Sequence, residues 1–279
     1  MEPAQIVGRV WPGQAATIEP LGGGITNHNF RVEVGNETFV LRIGGEDTQL
    51  LGIDRESEHA ASLVAAELGL APEVVAFVEP EGYLVTRFVV GEVGEMDVPQ
   101  VGAALRRLHG GPAIPSRFDS FRVVEAYRAI AEERGVAVPS RFGWASEIAQ
   151  RIEEHRRGAP IVPCHNDLLN ANFIGNAGRL WIVDWEYAGM GDPCFDLGNF
   201  AVNHELDADG ERLLLESYGS AAADALTLMR FMSDFREAMW GVVQQALSTL
   251  EFDFVAYADE HFERLERTAA HPRFRAALG

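Results

Sequence analysis

Apolar positions in the first third of the chain fall in short runs with the two-residue period of half-buried strands. Ala16–Leu21, residues 29–34 and residues 38–43 read as three strands. They are punctuated by Gly22-Gly23-Gly24 and by Gly35-Asn36, a dipeptide suited to a two-residue hairpin turn. The period then lengthens. Asp54 has the character of an N-cap, and residues 55–68 space their apolar side chains along one helical face that ends at Gly69. Val74–Val78 and residues 83–89 return to strand character. The predicted order is three strands, a helix and two strands.

Beyond Gly91-Glu92-Val93-Gly94 the helical period dominates, with predicted helices over residues 98–108, 122–134 and 144–156. A short β-rich island interrupts them over residues 161–183. Helices resume from Glu211, the longest spanning residues 229–250. There is no internal repeat. The pattern predicts an α+β chain with two lobes: residues 1–89 form a small antiparallel sheet with one helix, and residues 90–279 a larger, mainly helical lobe.

Composition narrows the function. No apolar run approaches the roughly 18 residues needed to cross a membrane. Met1-Glu2-Pro3-Ala4-Gln5 carries an acid and a proline and has no basic n-region, so a cytoplasmic location is expected. The 23 basic and 42 acidic residues give a formal charge of −19, which speaks against nucleic-acid and anionic-membrane partners. The same charge would steer a small cationic substrate. Every basic residue other than histidine is Arg; with no Lys, a Walker A phosphate loop is excluded.

The two cysteines, Cys164 and Cys194, form no disulfide framework, and no zinc site can rest on them alone. Cys164 adjoins His165, but neighbours on an extended segment point to opposite sides. Both cysteines therefore read as small buried hydrophobes rather than as a nucleophile with its base.

The densest chemistry lies in Cys164-His165-Asn166-Asp167-Leu168-Leu169-Asn170-Ala171-Asn172. It fits H-x-D-x-x-x-x-N, a kinase catalytic-loop spacing in which Asp orients the attacking hydroxyl and accepts its proton. His165, Asp167 and Asn172 are accordingly the candidate catalytic residues. After a further 12 residues, the apolar strand Leu180-Trp181-Ile182-Val183 delivers Asp184. Asn172 and Asp184 together make a suitable oxygen set for Mg²⁺, which takes few protein carboxylates and completes its shell with water and phosphate. These groups could instead cap and staple a loop, but the loop, strand and second Asp occur in the order that phosphoryl transfer requires. With this motif, the two-lobed outline reads as a protein-kinase-like fold.

From Gly22 to about Asn199 the chain resembles the choline/ethanolamine kinase branch of the aminoglycoside-phosphotransferase-like superfamily. The resemblance weakens in the C-terminal helices. Asp184-Trp185-Glu186-Tyr187-Ala188-Gly189-Met190-Gly191-Asp192-Pro193 is similar to the branch's metal-binding loop, and Cys194-Phe195-Asp196-Leu197-Gly198-Asn199 to the segment just beyond that loop. Phe39-Val40-Leu41-Arg42-Ile43-Gly44-Gly45 and Ile53-Asp54-Arg55-Glu56-Ser57-Glu58 resemble its third strand and first helix.

The resemblance implies ATP and Mg²⁺ as cofactors and assigns further roles. Arg42 would hold the α- and β-phosphates, with Glu58 as its ion-pair partner and Glu56 as the competing acid. Gly24, Thr26 and Asn27 would belong to the phosphate-covering loop, and Arg87 and Phe88 to the hinge that meets adenine. Asp196 would brace the catalytic loop from behind.

For the substrate, the resemblance points to Trp185, Tyr187 and Trp240 as aromatic faces for a cation. Glu186 is divided between the metal's surroundings and the substrate's cationic head. Val243 stands where eukaryotic members carry a second Trp, and Leu169 replaces a polar residue of those enzymes. The implied activity is γ-phosphate transfer from ATP to the hydroxyl of a small amino alcohol, choline or ethanolamine foremost. An aminoglycoside or other small-metabolite phosphotransferase is the alternative, and a non-catalytic ATP-binding pseudokinase the next.

Overall fold

A computed structural model describes residues 1–22, 27–45 and 47–279. The first part of the chain forms α1 (Pro3–Val10), β1 (Ala16–Leu21), β2 (Asn27–Val34), β3 (Glu37–Gly44), α2 (Arg55–Glu67), β4 (Val74–Val78) and β5 (Tyr83–Arg87). There follow β6 (Glu92–Val93), α3 (Val98–His109), α4 (Ser120–Glu133), α5 (Arg141–His155), β7 (Val162–Cys164), β8 (Phe173–Asn176), β9 (Arg179–Ile182) and β10 (Gly189–Gly191). Five helices complete the chain: α6 (Pro193–Asn203), α7 (Ala208–Tyr218), α8 (Ala223–Leu247), α9 (Phe254–Ala270) and α10 (Pro272–Leu278).

β1 to β5 build one antiparallel sheet in the order β1-β2-β3-β5-β4. β2 and β3 close directly around Gly35-Asn36, with Val34 opposite Glu37 and Gly35 at φ +61°. That left-handed conformation at the first turn position is the one glycine allows without strain. Alternation along β3 sends Phe39 and Leu41 into a core with Ile6 and Val7 of α1 and Val32, Val34, Val78 and Val85 of the sheet. Val40 and Arg42, one residue out of step, face the cleft between the lobes.

α1 is additional to the expected pattern. Pro3, which argued against a signal peptide, occupies the first turn of this helix, where its missing N–H is no loss. Glu2 and Gln5 cap it reciprocally. Asp54 does cap α2, accepting a hydrogen bond from the Ser57 N–H at 2.8 Å. α6 is likewise additional, because in sequence its residues look only like the continuation of a loop motif.

The chain leaves the sheet at Arg87, and β6 pairs with β8 of the helical region. The apolar cores do not divide at residue 89. Leu51 and Ile53 pack into the core of α4, α5, α8, α9 and α10, while Ala61 and Ala65 of α2 pack with α3, α6 and α7. α8 runs through the middle and is buried almost all round from Ala225 to Gln244. α6 crosses it closely at Gly198, where a Cβ would lie 2.6 Å from the Met229 backbone.

Candidate active site

β7 lies antiparallel to β10, and the loop His165–Asn172 leaves its end. The loop is tied down from behind. Asp196, in the first turn of α6, accepts the N–H of His165 at 2.8 Å and of Asn166 at 2.7 Å. Asn199, one turn on, accepts the Leu168 N–H at 2.5 Å. Asn166 takes a left-handed conformation at φ +66°. Cys164 and Cys194 are both buried thiols.

His165 does not face the cleft. Its ring is fully buried, its Nδ1 accepts the Asp167 N–H at 3.2 Å, and its Nε2 bonds the Val183 carbonyl at 3.1 Å. Burial lowers its pKa, keeping it neutral. The expectation of a catalytic His165 is therefore corrected: the ring is a strut that orients Asp167, and both of its nitrogens are spent inside the protein.

Asp167 does line the cleft. The Asn172 side-chain amide donates to its carbonyl at 2.8 Å and to its Oδ2 at 3.2 Å. With the amide NH₂ so engaged, the Asn172 carbonyl oxygen is the end left for a cation. Asp184 follows β9 at φ +67° and also lines the cleft. An amide oxygen and a carboxylate are the hard donors that Mg²⁺ takes, so these residues fit that ion.

The positive counterpart is Arg42. Its Nη1 donates to Asp184 Oδ1 at 2.6 Å and to Glu58 Oε1 at 2.7 Å, which selects Glu58 over Glu56. Burial opposes the guanidinium charge, but Asp184, Glu58 and Glu186 outweigh it and raise the Arg42 pKa.

A second arginine, Arg55, carries no signal of its own in the sequence. It donates to Glu58 Oε2 at 2.7 Å, Glu186 Oε2 at 3.2 Å and Asn27 Oδ1 at 3.0 Å. Asn27 donates in turn to Glu186 at 2.8 Å. Gly44 makes room for this group, since a Cβ there would lie 2.7 Å from the Arg55 guanidinium.

The third arginine is the larger surprise. Arg236 of α8 is 1% exposed and donates through Nη1 to Asp167 Oδ1 at 3.1 Å and to Glu237 Oε1. Its guanidinium lies 4.3 Å from the centre of the Tyr187 ring. Tyr257 of α9 donates its hydroxyl to Glu237 Oε2 at 2.8 Å. Glu237 and Asp167 hold the Arg236 pKa well up against the effect of burial. The adjacent charges Arg236-Glu237, in a helix otherwise rich in apolar residues but also carrying Arg230 and Asp234, were a weak signal in the sequence.

Burial dominates at the acids. It pushes the Asp167 carboxyl up to about 7, with Arg236 pulling the other way. Glu186 is also raised to about 7 by burial and by Asp184.

The cleft has a volume of about 540 Å³ and brings together Arg42, Glu58, Asp167, Asn172, Asp184, Trp185, Glu186, Tyr187 and Trp240. Trp185 borders it, but its Nε1–H is committed to the Ile182 carbonyl at 3.0 Å and its ring packs edge-on to His165. Trp240 donates to the Tyr187 hydroxyl at 3.2 Å. Val243 is fully buried in the core.

The hinge differs from expectation in detail. The Arg87 side chain turns away to Glu37 and Glu73 on the surface. The backbone N–H groups of Arg87 and Phe88 are taken by the carbonyls of Glu73 at 2.8 Å and Thr38 at 3.0 Å. Gly24 and Thr26 lie outside the described residues.

Comparison with known proteins agrees with this geometry. Residues 17–235 match the phosphotransferase enzyme family. LicA of Haemophilus influenzae is 30% identical over 70% of this chain, and the match spans 61% of one LicA sequence and 76% of another. Human ethanolamine kinase 1 is 25% identical, with 91% of this chain and 68% of that protein covered. A structure of a choline/ethanolamine kinase family protein from Mesorhizobium loti is 30% identical and superposes with a TM-score of 0.81, covering 96% of this chain and 92% of that one.

Proposed function

Because the chain belongs to the phosphotransferase enzyme family, in its choline/ethanolamine kinase branch, we propose that it transfers the γ-phosphate of ATP to the hydroxyl of a small amino alcohol. The observation that carries this reading is the convergence of Asp167, Asn172, Asp184 and Arg42 on one cleft, although Arg42 lies far from the other three in the sequence. The names of the relatives support choline or ethanolamine chemistry over the aminoglycoside alternative. The filled base, metal and phosphate positions argue against a pseudokinase.

In this mechanism Asp167 receives the substrate hydroxyl by a hydrogen bond and takes its proton as the oxygen bonds to the γ-phosphorus and the bond to the ADP oxygen breaks. Asn172 keeps the Asp167 carboxylate in place through its amide, and His165 and Asp196 fix the loop beneath it. Arg42 places positive charge against the phosphate chain, oriented by Glu58. Asn172 and Asp184 would hold Mg²⁺, whose positive charge would offset the negative charge that develops on the phosphates. Adenine would lie along residues 86–89, using backbone groups other than the Arg87 and Phe88 N–H.

A coupled ADP-release assay with MgATP and a panel of choline, ethanolamine, other amino alcohols, homoserine and aminoglycosides tests the proposal. Turnover of choline or ethanolamine that is lost in Asp167→Asn is the expected result. Turnover confined to aminoglycosides would overturn the substrate class. Nucleotide binding without turnover of any alcohol would overturn the activity.

A further inference from the structure

Resting on the reading of the cleft as an amino-alcohol kinase site, the surroundings of Arg236 bear on which amino alcohols it takes. A quaternary ammonium donates no hydrogen bond and is held by aromatic faces. A primary ammonium carries three N–H donors and is held by acceptors. The two need different hosts.

Tyr187 and Trp240, two of the aromatic residues expected to meet a cation, already have partners within the protein. The Arg236 guanidinium lies over the face of Tyr187 at 4.3 Å from the ring centre. The Tyr187 hydroxyl accepts the Trp240 indole N–H at 3.2 Å. Trp240 itself stands edge-on to Tyr257 and Phe254, at 5.6 and 5.9 Å between ring centres. The chain thus supplies its own cation to the ring that a quaternary headgroup would use.

A second observation points the same way. Arg236 Nε and Nη2 are buried and make no hydrogen bond among the described residues. The face of the guanidinium is used by Tyr187 and its Nη1 by two carboxylates, which leaves the Nε/Nη2 edge as unused donors. Three methyls crowded against Arg236 offer those donors no acceptor, whereas a smaller ammonium leaves the cleft more room beside it. Asp167 and Glu237 both line the cleft, and each of their carboxylate oxygens can accept a further N–H beside the single protein donor described above.

We propose that Arg236 is a specificity-determining residue that makes this cleft select alcohols bearing a primary ammonium over those bearing a quaternary one. The test measures kcat/KM along the series ethanolamine, N-methylethanolamine, N,N-dimethylethanolamine and choline, for the wild type and for Arg236→Met, Arg236→Gln and Arg236→Lys. Calorimetric Kd values for ethanolamine and choline on the nucleotide-loaded protein accompany the kinetics.

In the wild type, kcat/KM falls with each methyl, and ethanolamine exceeds choline by about tenfold or more. Arg236→Met and Arg236→Gln reduce that ratio by about tenfold, whatever their overall rates, and Arg236→Lys keeps it closer to wild type. A wild-type kcat/KM for choline equal to or above that for ethanolamine overturns the proposal, and this needs no variant to fold. A ratio unchanged in Arg236→Met or Arg236→Gln overturns the role of Arg236. If no alcohol is turned over but ethanolamine binds at least about tenfold tighter than choline, the kinase reading falls and the selection stands. If neither is bound nor turned over, both fall.

Discussion

Arg42 and Arg236 both line the cleft and are each shared between two carboxylates, but they are built for different purposes. Arg42 bridges Glu58 and Asp184 in the cleft, with side-chain exposures of 13%, 2% and 19% in that order. Arg236 bridges Asp167 and Glu237 with side-chain exposures of 2%, 10% and 3%. The first pair of contacts joins β3, α2 and the segment after β9; the second ties α8 to the loop His165–Asn172. A charge near water can exchange its partners for phosphate and metal at little cost. A buried one serves mainly to compensate its neighbours, and its removal leaves them uncompensated.

Substitutions sharpen or break this contrast. The largest effect is expected at the group Arg236 serves: Asp167→Asn lowers kcat by about 10²- to 10⁴-fold with nucleotide affinity retained, as measured by steady-state kinetics and nucleotide titration. Next, Arg236→Met lowers the free energy of unfolding by about 3–5 kcal/mol, because Asp167 and Glu237 stay buried without their partner. Arg42→Met costs about 1–2 kcal/mol and loses activity instead. Urea unfolding of the two variants side by side checks both values, and equal costs would erase the distinction between the clusters. Arg42→Lys keeps the charge but loses the planar fork, and is expected to lower kcat/KM by about tenfold through weaker phosphate binding.

A further effect is that of pH. Burial raises the Asp167 carboxyl from its ordinary 3.8 to about 7, and Glu186 from 4.5 to about 7. Between about pH 4 and 7 the folded protein therefore holds protons that the unfolded chain has released, and stability falls as pH rises through that window, then levels. With ionised Asp167 as the base of the proposed reaction, activity should run the other way: kcat/KM rises toward pH 7 and flattens above it. Urea midpoints and kcat/KM at a series of pH values check both slopes, and Asp167→Asn should make the stability slope shallower.

The same contrast separates the features legible in the sequence from those that were not. The five strands announced themselves by alternation and by the Gly35-Asn36 turn, and the fold class came with them. Asp167, Asn172 and Asp184 are spaced along one continuous stretch, and Arg42 has a place in a strand, so local spacing was enough to bring them forward. Arg236, Glu237 and Tyr257 reach the site from α8 and α9, where the chain has no motif and only tertiary packing decides which side chain meets Asp167. Arg55 escaped because its value lies in joining Glu58 of its own helix to Glu186 and Asn27 from distant segments. His165 erred in the opposite sense: the motif marked its position correctly, but only the loop's hydrogen bonds show that its ring turns inward. α1 and α6 were hidden behind Pro3 and Pro193, residues that read as breaks and in fact open helices at their first turn.

The assignment of α2 to the helical cores has a thermodynamic consequence. The sheet keeps its apolar side chains in a separate core with α1, while Arg42 and Asn27 reach across from it to Glu58, Asp184, Arg55 and Glu186. The seam between sheet and helices is thus largely ionic. Separating the two sides would expose charged groups more than hydrocarbon, so such an opening should carry a small heat-capacity change and a strong dependence on ionic strength, unlike the unfolding of either core.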